Sequence, residues 1–337
     1  MSLQFQHNLS GKLIFCTLFD SAYLSRGLVM YQSLRLTKVD FHLYIFAFDD
    51  LCYKILNDMS LANVTLISLK SFETEDLLEV KPSRSKAEYC WTCTSSTIEY
   101  ILTKYNEPSC TYIDADLFFF SSPEILNNEI KGIKNVLITE HRYSRLSSFF
   151  ELKRSGRFCV QYITFSNDSS SRIVLDTWKK QCLNWCFARF EDGKFGDQKY
   201  LDDWPVIYNN IHILKHQGGG LAPWNIQQYA FEIKNTILTG KVKKTGLPFD
   251  VVFYHFQYVK LLSDGSYDIG WYFISSAIKK LFYEPYLLKI EVIEKRIKKQ
   301  NSAYKTGITY FKSDNLKSIV KTNFKRIFGY NILKLQH

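Results

Sequence analysis

Alternation of strand and helix patterns through the first half of the chain constrains its fold more than any other feature. The run KLIFCTLF (12–19) reads as a strand. The next stretch has apolar side chains at Leu24, Leu28, Tyr31 and Leu34, the spacing of one helical face. FHLYIFAF (41–48) and NVTLISL (63–69) give two more strands, SSTIEYILTKYN (95–106) a helix, and CTYIDAD (110–116) the strand that this helix feeds. NVLIT (135–139) and VQYITF (160–165) add two further strands. Such an order predicts an α/β fold with a mostly parallel sheet and helices on both faces. Ligands of these sheets gather beyond the carboxyl ends of the strands. Asp20, Asp49 and the pair Asp114 and Asp116 all fall at such ends.

Two carboxylates one residue apart point to the same side of a strand, where they repel each other and are costly to bury. A divalent cation turns that liability into a site. Hard oxygen ligands of this kind suit Mg²⁺ or Mn²⁺, which bridge protein carboxylates and a ligand's phosphates. The alternative for Asp114 and Asp116 is a turn cap or a partner for a nearby lysine. Further on, the pattern breaks into two loop-rich stretches, EDGKFGDQKYLDDWP (191–205) and HQGGGLAPWN (216–225), dense in Gly, Pro, Asp and Trp as active-site connections tend to be. His216 in the second stretch is a candidate metal ligand. His255, in the alternating run VVFYHFQY, is its rival, with a hydrogen-bonded core histidine as the plain reading.

Charge narrows the partners. The formal net charge is +10, yet twelve Lys or Arg against three acids fall after residue 288. The body is therefore nearly neutral, and no nucleic-acid partner is expected. The N-terminus lacks an apolar signal core and no window is apolar enough to span a membrane, so the expected location is the cytoplasm. Eight cysteines suit a reducing compartment. Cys182 and Cys186 are expected on one apolar helical face with Leu175 and Trp178, which favours packing over zinc.

Four motifs occur in a fixed order: DSAYLSRGLVMYQSL (20–34), YIDAD (112–116), GDQKYLDDW (196–204) and HQGGGLAPW (216–224). In these the chain resembles the GT-A glycosyltransferases with their Rossmann-like sheet, in particular the retaining family 8 type and its bacterial relatives that use nucleotide-diphosphate sugars. The resemblance implies a GT-A domain over residues 1–288. It implies nucleotide binding by Thr17, Asp20, Tyr23 and Asp114, with Ser33 in the same segment. The metal, Mn²⁺ or Mg²⁺, would be held by Asp114, Asp116 and His216. Asp197 and Gln198 would stand beside the reacting sugar carbon, and Gly219 and Trp224 at the donor or acceptor sugar. Where the family has an Asn-Ala-Gly sugar segment, Cys159 and Gln161 stand here. Where it has a diphosphate-binding Lys before Pro223, this chain has Ala222, leaving Arg84, Lys86 and Lys199 as candidate replacements.

The expected activity is metal-dependent transfer of a sugar from a nucleotide-diphosphate donor to a cell-surface glycan or lipid-linked saccharide. Two other readings stay open: a non-catalytic nucleotide- or glycan-binding protein, and a nucleotidyltransferase that makes sugar nucleotides. Residues 289–337 are expected to form a basic helical extension. In NLKSIVKTNFKRIF (315–328), Leu316, Ile319, Val320, Phe324, Ile327 and Phe328 fall within half the circumference of a helix, with Lys321 and Lys325 opposite. Such a helix suits peripheral docking on an anionic membrane surface.

Overall fold

The computed structural model describes residues 11–132, 135–235, 237–305, 307–309, 324–325 and 327–335. The strands in chain order are β1 (Leu13–Phe19), β2 (Phe41–Ala47), β3 (Val64–Ser68), β4 (Ser109–Ile113), β5 (Leu117–Phe119), β6 (Val136–Glu140), β7 (Phe158–Ser166) and β8 (Ile211–Ile213). Seven of them form the central sheet in the order β3-β2-β1-β4-β7-β6-β8. Only β7 runs against the others, pairing antiparallel with both β4 and β6. The expected α/β architecture is present.

Why the sheet is covered on both sides follows from β1. Leu13, Phe15 and Phe19 enter one apolar cluster while Ile14, Cys16 and Leu18 enter another. The first cluster includes Leu24, Leu28, Tyr31 and Leu34 of helix Leu24–Leu36, the face that the spacing predicts. The second takes Ile98, Ile101 and Leu102 of helix Lys86–Lys104 and Val174, Leu175 and Trp178 of helix Ser169–Asn184. Local chemistry starts these helices. Ser85 and Glu88 form a reciprocal capping box, and Asp168 accepts from the amides of Ser170 and Ser171. The latter helix stops at Asn184, and Trp185 is extended. Cys186 is therefore not on its face, although it is buried in the same cluster.

The strand expected through Asp116 ends at Ile113. A turn follows, and β5 then leaves the main sheet to pair with β12 (Phe253–His255), reached after an antiparallel sheet of β9 (Tyr229–Lys234), β10 (Ile237–Val242) and β11 (Pro248–Asp250). A last sheet joins β13 (Lys260–Leu262), β14 (Tyr267–Asp268), β15 (Ile308–Thr309) and β16 (Ile332–Leu333).

At the C-terminal end the structure departs from expectation. Helix Glu284–Gln300 runs unbroken across the expected boundary at 288/289. Tyr286 and Leu287 from one side, with Ile290, Ile293 and Ile297 from the other, lie in the same core cluster as Leu24 and Leu28. The apolar stripe at helical spacing, rather than the change in charge, decides where this segment packs. Its basic residues Lys295, Arg296, Lys298 and Lys299 are exposed. Most of the amphipathic helix expected over 315–328 lies outside the described residues. Where its end is described, the faces are exchanged: Lys325 is buried, whereas Phe324, Ile327 and Phe328 are exposed. Asp268 supplies the reason, since its carboxylate meets Lys325 Nζ at 2.5 Å. Among the described residues, no helix is long and apolar enough to cross a membrane.

Candidate active site

The turn after β4 is fixed at both ends by backbone hydrogen bonds. Asp114 N donates to Gln161 O of β7 at 3.1 Å, and Phe256 N donates to Asp116 O at 2.9 Å. Pairing of β5 with β12 sets Leu117 opposite His255, which brings the imidazole to the two carboxylates. His255 Nε2 lies 3.0 Å from Asp116 Oδ1 and 3.6 Å from Asp114 Oδ2. Its Nδ1 meets Gln161 Oε1 at 2.7 Å. Because the amide oxygen only accepts, Nδ1 carries a hydrogen. Without a metal Nε2 carries one too and donates to Asp116, and on losing it the ring directs the Nε2 lone pair between the carboxylates. That is the tautomer a metal ligand needs. One ligand atom from each of Asp114, Asp116 and His255 lies within 4.8 Å of the others, at the carboxyl end of β4.

Electrostatics mark the cluster as short of positive charge. Burial, opposed by His255 and reinforced by Asp116, pushes Asp114 up to about 6. Asp116 goes the other way: burial opposes its charge, but the contact with His255 and the charge of Arg26 outweigh it. His255 is pushed well above the ordinary histidine value because Asp116 and Asp114 outweigh its burial. Asp197 is pushed up to about 7 by burial and then by Asp114. One imidazole thus serves two carboxylates with a third acid nearby. Two carboxylate oxygens and an imidazole nitrogen suit a divalent first-row cation.

The remaining expected residues divide into two groups. Around His255 the structure gathers Gln161, Cys159 and Trp224; the indole stands edge-on to the imidazole at 5.4 Å and donates from Nε1 to His141 O at 2.9 Å. Cys159, Ala222 and Trp224 form a small apolar cluster against Tyr143 and Tyr272. Tyr23 is exposed, and its ring lies against the Arg26 guanidinium at 4.5 Å. Asp20 accepts from the amide of Ala22 at 3.0 Å and from that of Tyr23 at 3.2 Å, holding this loop in shape. Thr17 is buried in β1 with its hydroxyl unpartnered among the described residues.

The second group is engaged elsewhere. Ser33 accepts from Phe119 N at 3.0 Å and donates to Met30 O, a brace between helix and β5. Gly219 is a packing glycine, since an added Cβ would stand 2.8 Å from Leu214 and 3.0 Å from Leu126. Gln198 donates to Ser155 O at 2.6 Å. His216 is not part of the carboxylate cluster. Its Nδ1 accepts from Gly218 N at 3.2 Å and its amide donates to Glu129 at 2.8 Å, so its ring shapes its own Gly-rich loop. His255 takes the place expected of it. The β5–β12 pairing that delivers His255 is long-range, and no local pattern announces it.

No protein-family model matches the chain. Two curated relatives are uncharacterized proteins of Bacillus subtilis (strain 168). YfnD is 29% identical over 283 residues, spanning 82% of this chain and 88% of its own length. YfnF is 28% identical over 256 residues, spanning 74% and 82%. Among solved structures, the galactosyltransferase LgtC in complex with donor and acceptor sugar analogues superposes with a TM-score of 0.52 at 9% identity, over 83% of this chain and 96% of that one. The fold is the GT-A fold. At that identity the likeness concerns the arrangement of the chain, and the chemistry has to come from the residues.

Proposed function

We propose that this chain is a metal-dependent glycosyltransferase that moves a sugar from a nucleoside-diphosphate donor to a glycan or lipid-linked saccharide. The observation that carries the reading is the cluster of Asp114, Asp116 and His255 at the carboxyl end of β4, where ligands of such sheets bind. Asp114 and Asp116 would hold the cation through carboxylate oxygens and His255 through Nε2; the mixed oxygen and nitrogen set favours Mn²⁺ over Mg²⁺. A divalent cation there supplies compensation for the charge that grows on the departing diphosphate.

The chain's own residues do the rest. Gln161 fixes the imidazole through Nδ1, and Trp224 closes the ring's other side. Asp197, pushed up to about 7 and sensing Asp114, is able to hold or release a proton near neutral pH. It is assigned to the sugar side of the donor, with the anomeric configuration kept. The LgtC structure, solved with donor and acceptor sugar analogues, supports the class of both partners.

The test is release of nucleoside diphosphate from a panel of nucleotide-sugars with Mn²⁺ and without acceptor. The proposal expects hydrolysis of at least one donor, abolished by EDTA and restored by Mn²⁺. Nucleotide binding without turnover of any donor would make the chain a binding protein of the same fold. Linkage analysis of a transfer product by NMR checks retention, and an inverted linkage refutes it.

A further inference from the structure

Among the described residues no carboxylate pairs with Arg142. It lies in the loop after β6 with φ 49°, a left-handed conformation uncommon for a residue with a side chain. Nη1 donates to His216 O at 3.3 Å, while Nε and Nη2 are buried and lack a hydrogen-bond partner among the described residues. The acids whose charge it senses are engaged elsewhere. Glu140 pairs with Arg157 at 2.6 Å, and Glu129 with His212 at 2.7 Å and with the amides of Lys215 and His216. Burial draws the guanidinium below its ordinary pKa, but arginine remains a cation at any physiological pH. A buried cation without a counter-ion is costly, and an anion arriving from outside removes that cost.

A second orphaned donor stands next to it. Gln161 is fully buried, and its Nε2 has no partner among the described residues. The point where a Cβ on Gly220 would stand lies 2.7 Å from Arg142 Nη2 and 3.4 Å from Gln161 Nε2. Gly220 has φ +88°, so its backbone and the neighbouring guanidinium both exclude a side chain. Two unpartnered donors therefore meet over one glycine. Gln161 Oε1 is the atom that holds His255, so this meeting point lies one side chain from the carboxylate pair.

Ala222 is fully buried in its apolar cluster and offers no charge at the place where the resemblance implies a lysine. Two of the alternatives visible in the sequence are committed: Lys199 pairs with Asp202 at 2.7 Å, and Arg84 donates to Leu183 O and lies 3.9 Å over Phe187. We propose that Arg142, with Gln161 Nε2 beside it, is the cationic subsite of this centre and takes a phosphate oxygen of the donor's diphosphate. The inference rests on the metal-dependent transferase reading. It gives the site a positive group separated from the His255 imidazole by the Gln161 side chain, and assigns Gln161 two jobs, orienting His255 and donating to the anion.

Titration calorimetry with Mn²⁺ alone, and then with pyrophosphate in the presence of Mn²⁺, tests it without knowledge of the nucleobase. The wild type is expected to bind both. Arg142→Gln should keep the Mn²⁺ affinity and lose at least about tenfold in pyrophosphate affinity, as expected when a buried charge contact is cut. Arg142→Lys should recover part of that loss. Equal pyrophosphate affinity in wild type and Arg142→Gln would overturn the inference while leaving the metal site standing. Failure of both variants to fold would make Arg142 a structural cation and overturn it too. Absence of Mn²⁺ binding in the wild type would refute the metal reading, and this inference with it.

Discussion

Among the described residues two contacts between cation and carboxylate are buried on both sides, and they are built differently. Lys325 meets Asp268 at 2.5 Å, donates also to Gly270 O at 2.8 Å, and sits 4.2 Å over the Trp271 ring. One cation faces one carboxylate, and the ammonium finds further acceptors. In the candidate active site a single imidazole lies between Asp114 and Asp116, with Asp197 adding to the negative charge. The first contact is balanced and fixes the chain's end to β14. The second is short of positive charge and is stable only with a proton or a cation added. Balance separates a fastening from a binding site.

Removing one carboxylate should break the comparison most sharply. Asp114→Asn is expected to lower metal-dependent donor turnover by about a hundredfold or more, because the charge compensation at the diphosphate is lost. The same variant should leave the metal-free protein at least as stable at pH 8, since the carboxylate pushed up to about 6 is the one whose ionisation the fold opposes. Loss of folding would show that the pair is a structural contact after all.

Cutting the balanced pair should do the reverse. Lys325→Met strands Asp268 without its cation and is expected to cost about 3–5 kcal/mol of stability, by analogy with other broken buried pairs. Mn²⁺ affinity, measured where the variant remains folded, should not change. Denaturant unfolding and calorimetry check both halves, and a parallel loss of Mn²⁺ binding would tie the C-terminal segment to the site.

pH gives a smaller effect with a definite sign. Asp114 at about 6 and Asp197 at about 7 hold protons in the folded state that an unfolded Asp, at 3.8, does not. His255, pushed above 6.5, contributes stability that is complete below 6.5 and is lost as pH rises through its folded value. Asp116, lowered, acts in the opposite direction, but only as pH falls below 3.8. Below pH 6.5 the loss from Asp114, Asp197 and His255 is opposed by His141, pushed down to about 3 by burial, and by His42 and His216, also lowered by burial. The metal-free protein should therefore lose stability from about pH 6.5 to about pH 8. The Tm increase given by Mn²⁺ should grow over the same interval, because the cation displaces those protons. A metal-free Tm that rises from pH 6.5 to pH 8 contradicts this.

The smallest effect separates the two histidines. His216→Ala should change Mn²⁺ affinity less than about twofold, whereas His255→Ala should lower it at least about tenfold. Equilibrium dialysis of Mn²⁺ against the two variants makes the comparison.

How much of this was legible in the sequence follows the range of the interactions. The apolar alternation of β1 and the helix face at Leu24, Leu28, Tyr31 and Leu34 are local and stand where the spacing places them. The carboxylates do follow a strand end, though in the turn after β4 rather than on one face of the strand. The third ligand was not fixed by spacing. His216 sits in the more conspicuous motif, but His255 arrives by a strand pairing across 138 positions, Leu117 to His255. Arg142 was invisible, because a single arginine after a strand has no pattern, and its meaning comes from the acids that are engaged elsewhere. Lys325 was read onto the wrong face for a related reason. Helical periodicity assumes that charge seeks water, and Asp268 offers it a buried partner instead.

The most direct test is an anomalous difference map from crystals of the protein grown with Mn²⁺. A single strong peak is expected within coordination distance of Asp114, Asp116 and His255, with the His255 Nδ1 contact to Gln161 kept. A peak beside His216, or none at the carboxylate pair at neutral pH, would contradict it.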